Sequence, residues 1–180
     1  MAQAAVDVRY PVGHFEILPY SEELKTKWLR DIKFLPTDLE LAIQNFDEHQ
    51  FDTPYRQGGW TVKQLVHHVA DSHMNAYIRF KLALTEENPT IKPYEEKLWA
   101  NLSDVFTVPV NMSVTLLHAL HIRWFAAIEN LGEDEFMNRF VYHPEQKKQL
   151  SMWHLLGMYA WHGQHHVAHI TTLKEQKGWY

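Results

Sequence analysis

The chain has no cysteine, which excludes disulfides, thiolate-held zinc, iron–sulfur clusters and cysteine nucleophiles together. Histidine and carboxylates are the only strong metal ligands left. No basic block is present: 17 Lys and Arg stand against 22 Asp and Glu, for a net charge of −5, a balance poorly suited to a polyphosphate backbone. No nucleic-acid partner is expected. No apolar run approaches the roughly 18 residues of a membrane span, and MAQAAVDVRYPVGHF lacks an apolar stretch behind a basic start. A soluble, unexported protein without a membrane partner is expected. Glycine is scarce, 7 in 180 residues, and no repeat or Gly/Ser linker marks a boundary, so residues 1–180 read as one domain with its own core.

Catalytic signatures are also missing. There is no G-x-S-x-G, Walker loop or dinucleotide fingerprint. The E-x-x-H spacing of di-iron bundles does not occur. A zincin helix reads H-E-x-x-H, but here position 163 is Gly.

What the chain has in excess is histidine, 13 in all, seven of them in VHHVADSH and HGQHHVAH. The background is helical. Residues 1–20 carry Pro11, Gly13 and Pro19 without a helical period and should lie extended on the surface. Ser21 can cap a stretch to about Phe46, with Trp28, Leu29, Ile32, Leu39 and Leu41 to Ile43 apolar, and Pro36 either kinks it or divides it in two. After the turn chemistry of FDTPYRQGGW, Thr61 and Gln64 form a capping box for a second helix, with Val62, Leu65, Val66, Val69, Ala76, Tyr77 and Phe80 at helical spacing. A long connection from Glu86 to Val110 holds three prolines and room for one helical turn near Glu95 to Leu102. A third helix is expected from Asn111 or Ser113 to a C-cap at Gly132, bearing the stripe Leu117, Leu120, Trp124, Ile128 and Leu131. FVYHPEQKKQL is a short hairpin or a loop. Ser151 then caps a fourth helix running to about Lys177, with Gly178 as its stop. The fold class is all-α: a four-helix bundle with an extended N-terminal segment and long inter-helix loops.

On the last helix two i, i+4 histidine pairs compete, His162 with His166 and His165 with His169. At about 100° per residue, His162 and His166 fall on the core line of Leu155, Tyr159 and Leu173, whereas His165 lies about 80° away. Two imidazoles one turn apart can chelate an ion with little backbone rearrangement, and a cation partners both at once. The second helix offers His67, His68 and His73 as a third ligand, and the wheel alone favours His73. His121, between Leu117 and Trp124, also faces inward and, like His73 and His169, can support the site from behind. The chemistry that remains is a mononuclear, all-histidine site with an open position for water or an anionic atom such as a thiolate.

The strings DTPYRQGGWTVKQLVHHVADSHMNAYIRFKLALTEENPTIKPYEEKLW, FVYHPE and YAWHGQHHVAHI closely resemble the YfiT branch of the DinB-like superfamily, regarded as metal-dependent hydrolases. The resemblance implies a four-helix bundle whose metal is held by one histidine from the second helix and an HxxxH pair from the last. On this chain those positions are His68, His162 and His166, which replaces His73 as third ligand. It further implies one zinc or nickel ion per chain, a homodimer and a cytoplasmic location. Some relatives are thiol S-transferases that join a small thiol such as bacillithiol to electrophiles, so a thiol cosubstrate beside a small-molecule substrate is the alternative to hydrolysis.

Residue type and position nominate pocket candidates as well. Ser72, Asn75 and Arg79 follow His68 along its helix edge, and Tyr55, Arg56 and Tyr94 lie in loops that can cover a bundle mouth. An arginine there can hold a carboxylate in two-pronged fashion. Against the enzyme stands a non-catalytic module in which a fourth histidine, His73, His121 or His169, closes the site. A metal-free proton sensor titrating near pH 6 to 7 is a third reading.

Overall fold

The computed structural model describes residues 7–179; the first six residues of the expected extended segment lie outside it. Four long helices make a bundle: α1 (Glu22–Ala42), α3 (Val62–Thr85), α6 (Val110–Ile128) and α8 (Met152–Lys177). Short helices α2 (Glu48–Phe51), α4 (Glu96–Trp99), α5 (Ser103–Thr107) and α7 (Glu133–Asn138) and a hairpin of β1 (Phe140–His143) with β2 (Lys148–Ser151) fill the connections. α1 packs on α6 and α8, and α3 packs on the same two helices. The cyclic order is therefore α1, α6, α3, α8, and successive long helices α1 and α3 stand diagonally.

Local chemistry sets most of the boundaries. Ser21, Thr61 and Ser151 each accept a hydrogen bond from the third residue of the helix they open, and Gln64 returns the bond to Thr61 to complete its box. Gly178 closes α8 in the left-handed region at φ 65°, where its N–H reaches the last carbonyls. Residues 10–20 lie outside helix and strand, pinned to α8 by two indole donors, Trp161 to the Gly13 carbonyl and Trp153 to the Leu18 carbonyl.

Several expectations need correction. Of the two alternatives at Pro36, the undivided helix holds, but α1 ends at Ala42 and not near Phe46. Leu41 is not core: it is 57% exposed. The Glu86–Val110 connection holds two short helices instead of one turn, and Pro89 and Ile91 bond to Tyr142 of the hairpin. Pro109, whose missing N–H costs nothing at a helix start, caps α6. Gly132 does not end that helix; it opens α7, where Glu135 reaches back to the Gly132 N–H and three acidic residues occupy the favourable first turn.

α8 approaches α1 closely at two glycines. A Cβ on Gly157 would stand 2.7–3.0 Å from the Trp28 ring, and one on Gly163 would stand 2.8 Å from Leu35. The Trp28 ring also packs on Trp153 of α8, with ring centroids 4.2 Å apart. Gly157→Ala should therefore destabilise the protein by up to about 2 kcal/mol, since overpacking against the Trp28 ring costs about 1–3 kcal/mol and is offset by a helix-propensity gain of about 1 kcal/mol. Urea titration followed by circular dichroism checks this; unchanged or increased stability would contradict it.

Candidate metal centre

His68 projects from the second turn of α3, and His162 and His166 project from the middle of α8. The Nε2 atom of His162 is 3.3 Å from that of His68 and 3.1 Å from that of His166. All three residues present ligand atoms within 4.8 Å of one another. Ligands about 2.0–2.1 Å from a tetrahedral ion are separated by about 3.3–3.4 Å, a spacing that the His68–His162 contact matches and the His162–His166 contact approaches, so the donor set suits a divalent metal. Trp60 lies against the His68 ring, with centroids 4.7 Å apart.

The outer nitrogens are treated unequally. His162 Nδ1 meets His73 Nε2 at 3.3 Å, His73 Nδ1 meets His121 Nε2 at 3.1 Å, and His121 Nδ1 meets the Ile32 carbonyl at 2.5 Å. His166 Nδ1 is buried without a partner. Burial holds His68 down to about 4 and keeps His162 and His166 well below the ordinary imidazole value. Neutral imidazoles bind a cation without first shedding a proton.

A cleft of about 400 Å³ opens onto the three histidines, lined also by Tyr55, Arg56, Gly58, Gly59, Trp60, Glu96, Lys97, Trp161 and His165. The larger cavity, about 640 Å³, lies between α1 and the α5–α6 junction, around Leu41, Phe106 and Val108. It contains no histidine, so chemistry and not volume picks out the smaller cleft.

The other nominated residues divide clearly. Tyr55 and Arg56 line the cleft, and the Arg56 Nε is buried without a partner. Ser72 is buried and faces the Tyr94 hydroxyl, which burial pushes up to about 12; the Tyr94 ring packs on Trp99. Asn75 turns back to the Asp71 carbonyl at 2.9 Å, and Arg79 donates to the Tyr159 hydroxyl at 2.6 Å, so both are engaged away from the cleft. His73, His121 and His169 do not join the convergent group. His73 and His121 lie behind His162, while His169 Nε2 pairs with His165 Nε2 at 3.0 Å.

The helical wheel undervalues His165, which is only 9% exposed because Trp161 stacks on it and Tyr10 packs nearby. Trp161 stands one turn before His165 on α8 itself, and Tyr10 belongs to the N-terminal segment, which has no periodicity to read. Trp60 and Trp161 were also missed; their signal is adjacency, one directly before the α3 cap and the other directly before His162. Asp71, one turn beyond His68, is a half-buried carboxyl pushed up to about 6 by burial and by Asp104; its i+3 spacing from His68 is the only sequence sign.

Acid should destabilise the metal-free protein. His121 and His165 are lowered from 6.5 to about 4 and His169 to about 3, each chiefly by burial. Between those values and 6.5 the unfolded chain binds more protons than the folded one, so stability falls as pH drops through that window. The melting temperature after chelation should decline steadily from pH 6.5 to 4; a flat profile would contradict the buried neutral imidazoles.

Comparison with known proteins agrees with this architecture. The DinB superfamily model matches residues 32–170. A protein of Bacillus mycoides (strain KBAB4) named "Putative metal-dependent hydrolase" is 50% identical over 174 residues, covering 96% of this chain and 99% of its own. A Bacillus cereus (strain B4264) protein of the same description is 51% identical over 175 residues, with the same coverage. The solved structure of YfiT from Bacillus subtilis, described as a probable metal-dependent hydrolase with an unusual four-helix bundle topology, superposes with a TM-score of 0.92 at 46% identity, covering 96% of this chain and 99% of that one. The family match spans most of the chain and the relatives align almost end to end, and the chain belongs to the DinB superfamily.

Proposed function

We propose that this protein is a metal-dependent enzyme in which His68, His162 and His166 hold one divalent ion, zinc or nickel, at the base of the cleft, with hydrolysis of a small-molecule substrate as its reaction. The observation that carries this reading is the meeting of three Nε2 atoms, two of the contacts at 3.1 and 3.3 Å. Held by three neutral ligands, such an ion retains its full charge and an open position, and supplies Lewis acidity that lowers the pKa of an incoming nucleophile. The relatives' hydrolase names support the reaction class.

The chain's own residues then bind and orient. Arg56 offers its buried Nε and Lys97 an ammonium at the cleft, suited to a substrate carrying a carboxylate or another anionic group. Tyr55, Trp60 and Trp161 provide aromatic walls. A non-catalytic, fourfold-closed site is disfavoured because His73, His121 and His169 all spend their nearest nitrogen on other partners. We take the chain as a single domain and the protein as a cytoplasmic homodimer. Exposed apolar residues such as Ile122, at 72%, and Leu98, at 66%, are available for self-association, and no helix among the described residues is long and apolar enough to cross a membrane.

Thiol transfer is the second reading, and position 163 favours it. A Cβ there would run into Leu35 on α1, so the helix cannot place a glutamate base toward the histidines as a zincin does. A thiolate needs no such base once its pKa is lowered.

Two measurements test these proposals. Metal analysis should find one ion per chain, lost in His162→Ala or His166→Ala but kept in His165→Ala; retention of metal by His166→Ala and its loss from His165→Ala would overturn the ligand set. Product analysis on one electrophile, with and without a small thiol, separates the reactions. Labelled water oxygen in the product, unaffected by thiol, supports hydrolysis, whereas metal-dependent thiol adducts contradict it and establish the transferase.

A further inference from the structure

Of the three histidines at the centre, only His162 has its outer nitrogen tied to a chain of buried partners, and that chain ends at a backbone carbonyl. A carbonyl oxygen accepts and never donates. The Ile32 carbonyl, 2.5 Å from His121 Nδ1, therefore requires hydrogen on that nitrogen. If His121 is neutral, its Nε2 is a bare lone pair, and the 3.1 Å contact with His73 Nδ1 requires hydrogen on His73 Nδ1. The same reasoning at His73 Nε2, 3.3 Å from His162 Nδ1, places the His162 hydrogen on Nδ1. His162 Nε2 is then a lone pair, and it is the atom that faces His68 and His166. Every ring donates from Nδ1 and accepts at Nε2.

Neutrality follows from where the rings lie. His73 is fully buried and His121 is 1% exposed, and no carboxylate bonds to either ring among the described residues, so a charge on either ring would be desolvated without compensation. A cation in either place would face a neighbouring imidazole with no countercharge.

The acceptor that starts the chain is itself unusual. Inside an α-helix the carbonyl of residue 32 normally accepts from the N–H of residue 36, four positions on. Residue 36 is Pro, buried within α1, which has no N–H and whose ring crowds the carbonyl four residues back. The proline thus releases the Ile32 oxygen to a side chain, and His121 on the neighbouring helix α6 takes it.

We propose that Pro36, the Ile32 carbonyl, His121 and His73 form a hydrogen-bond relay that sets the tautomer of His162 and aims its Nε2 lone pair at the metal centre. His121 and His73 are accordingly positioning residues, acting through His162. The proposal rests on His162 being a ligand, as argued above. It also gives the proline inside α1 a task that packing alone does not.

The test begins with the metal-free parent protein labelled with ¹⁵N at histidine. Long-range ¹H–¹⁵N correlation spectra should show His121, His73 and His162 each with hydrogen on Nδ1; hydrogen on Nε2 of His162, or an averaged mixture of tautomers, overturns the relay whatever any variant does. His121→Phe removes one partner from each of two links, to the Ile32 carbonyl and to His73. It should mix the His162 tautomers and weaken zinc affinity, read by chelator competition, by about 10- to 100-fold. His121→Gln, which keeps a side-chain acceptor for His73, should recover most of that loss. An unchanged His162 tautomer with parental zinc affinity in His121→Phe also overturns the proposal. Failure of the metal reading looks different: the parent then shows the ordered tautomers but does not bind zinc at the three histidines.

Discussion

Three imidazole nitrogens that meet inside a helical bundle impose the constraint around which the rest of the structure is arranged. At 3.1 and 3.3 Å, His162 Nε2 can donate one hydrogen or receive one, but it cannot satisfy both neighbours symmetrically with a proton. A cation can be shared by all three. The surrounding bundle keeps carboxylates out of the group, buries the rings and holds them neutral, all of which favour a positive ion over a proton at that point. The Nδ1 of His166 is buried with no protein acceptor.

Packing delivers these rings to one place. α3 and α8 are adjacent in the ring of helices, with α1 and α6 closing it, so His68 faces His162 across a helix–helix contact. α8 can press onto α1 because Gly157 and Gly163 offer no Cβ to Trp28 and Leu35. Gly163 thus answers two questions together: it permits the close approach, and it explains why the motif between the paired histidines carries no glutamate. The opposite flank of α8 is joined to the N-terminal segment through Trp153 and Trp161, and with Trp161 and Tyr10 at His165 and Tyr55 against His169 the second histidine pair is buried although its wheel position points away from the core line.

Much of this was legible in the sequence because it is local. Capping at Ser21, Thr61 and Ser151 depends on side chains within three residues of the helix start, and the apolar period of the second helix is repeated often enough to read. The i, i+4 pair at His162 and His166 is likewise a property of one helix. What could not be read depends on partners distant in the chain. The wheel alone preferred His73 to His68, because burial on a helix face says nothing about which neighbouring ring lies opposite; only the family resemblance pointed to His68. His73 proves to be the most buried of the helix's histidines yet bonds to the back of His162. Gly132 looked like a terminus and opens a new helix, since its role depends on the acidic residues after it. The diagonal placement of α1 and α3 has no local signature at all. Pro36 was readable as a disturbance of its helix, but the use made of the released carbonyl requires His121 from a helix more than eighty residues later.

The account therefore turns on three neutral imidazoles, and no more, gathered around one ion with room left beside it. X-ray absorption spectroscopy of the zinc-loaded protein tests this most directly. The account predicts three imidazole nitrogens at about 2.0–2.1 Å together with an oxygen ligand not supplied by the protein. Four imidazoles in the parent, or a carboxylate among its ligands, would contradict it.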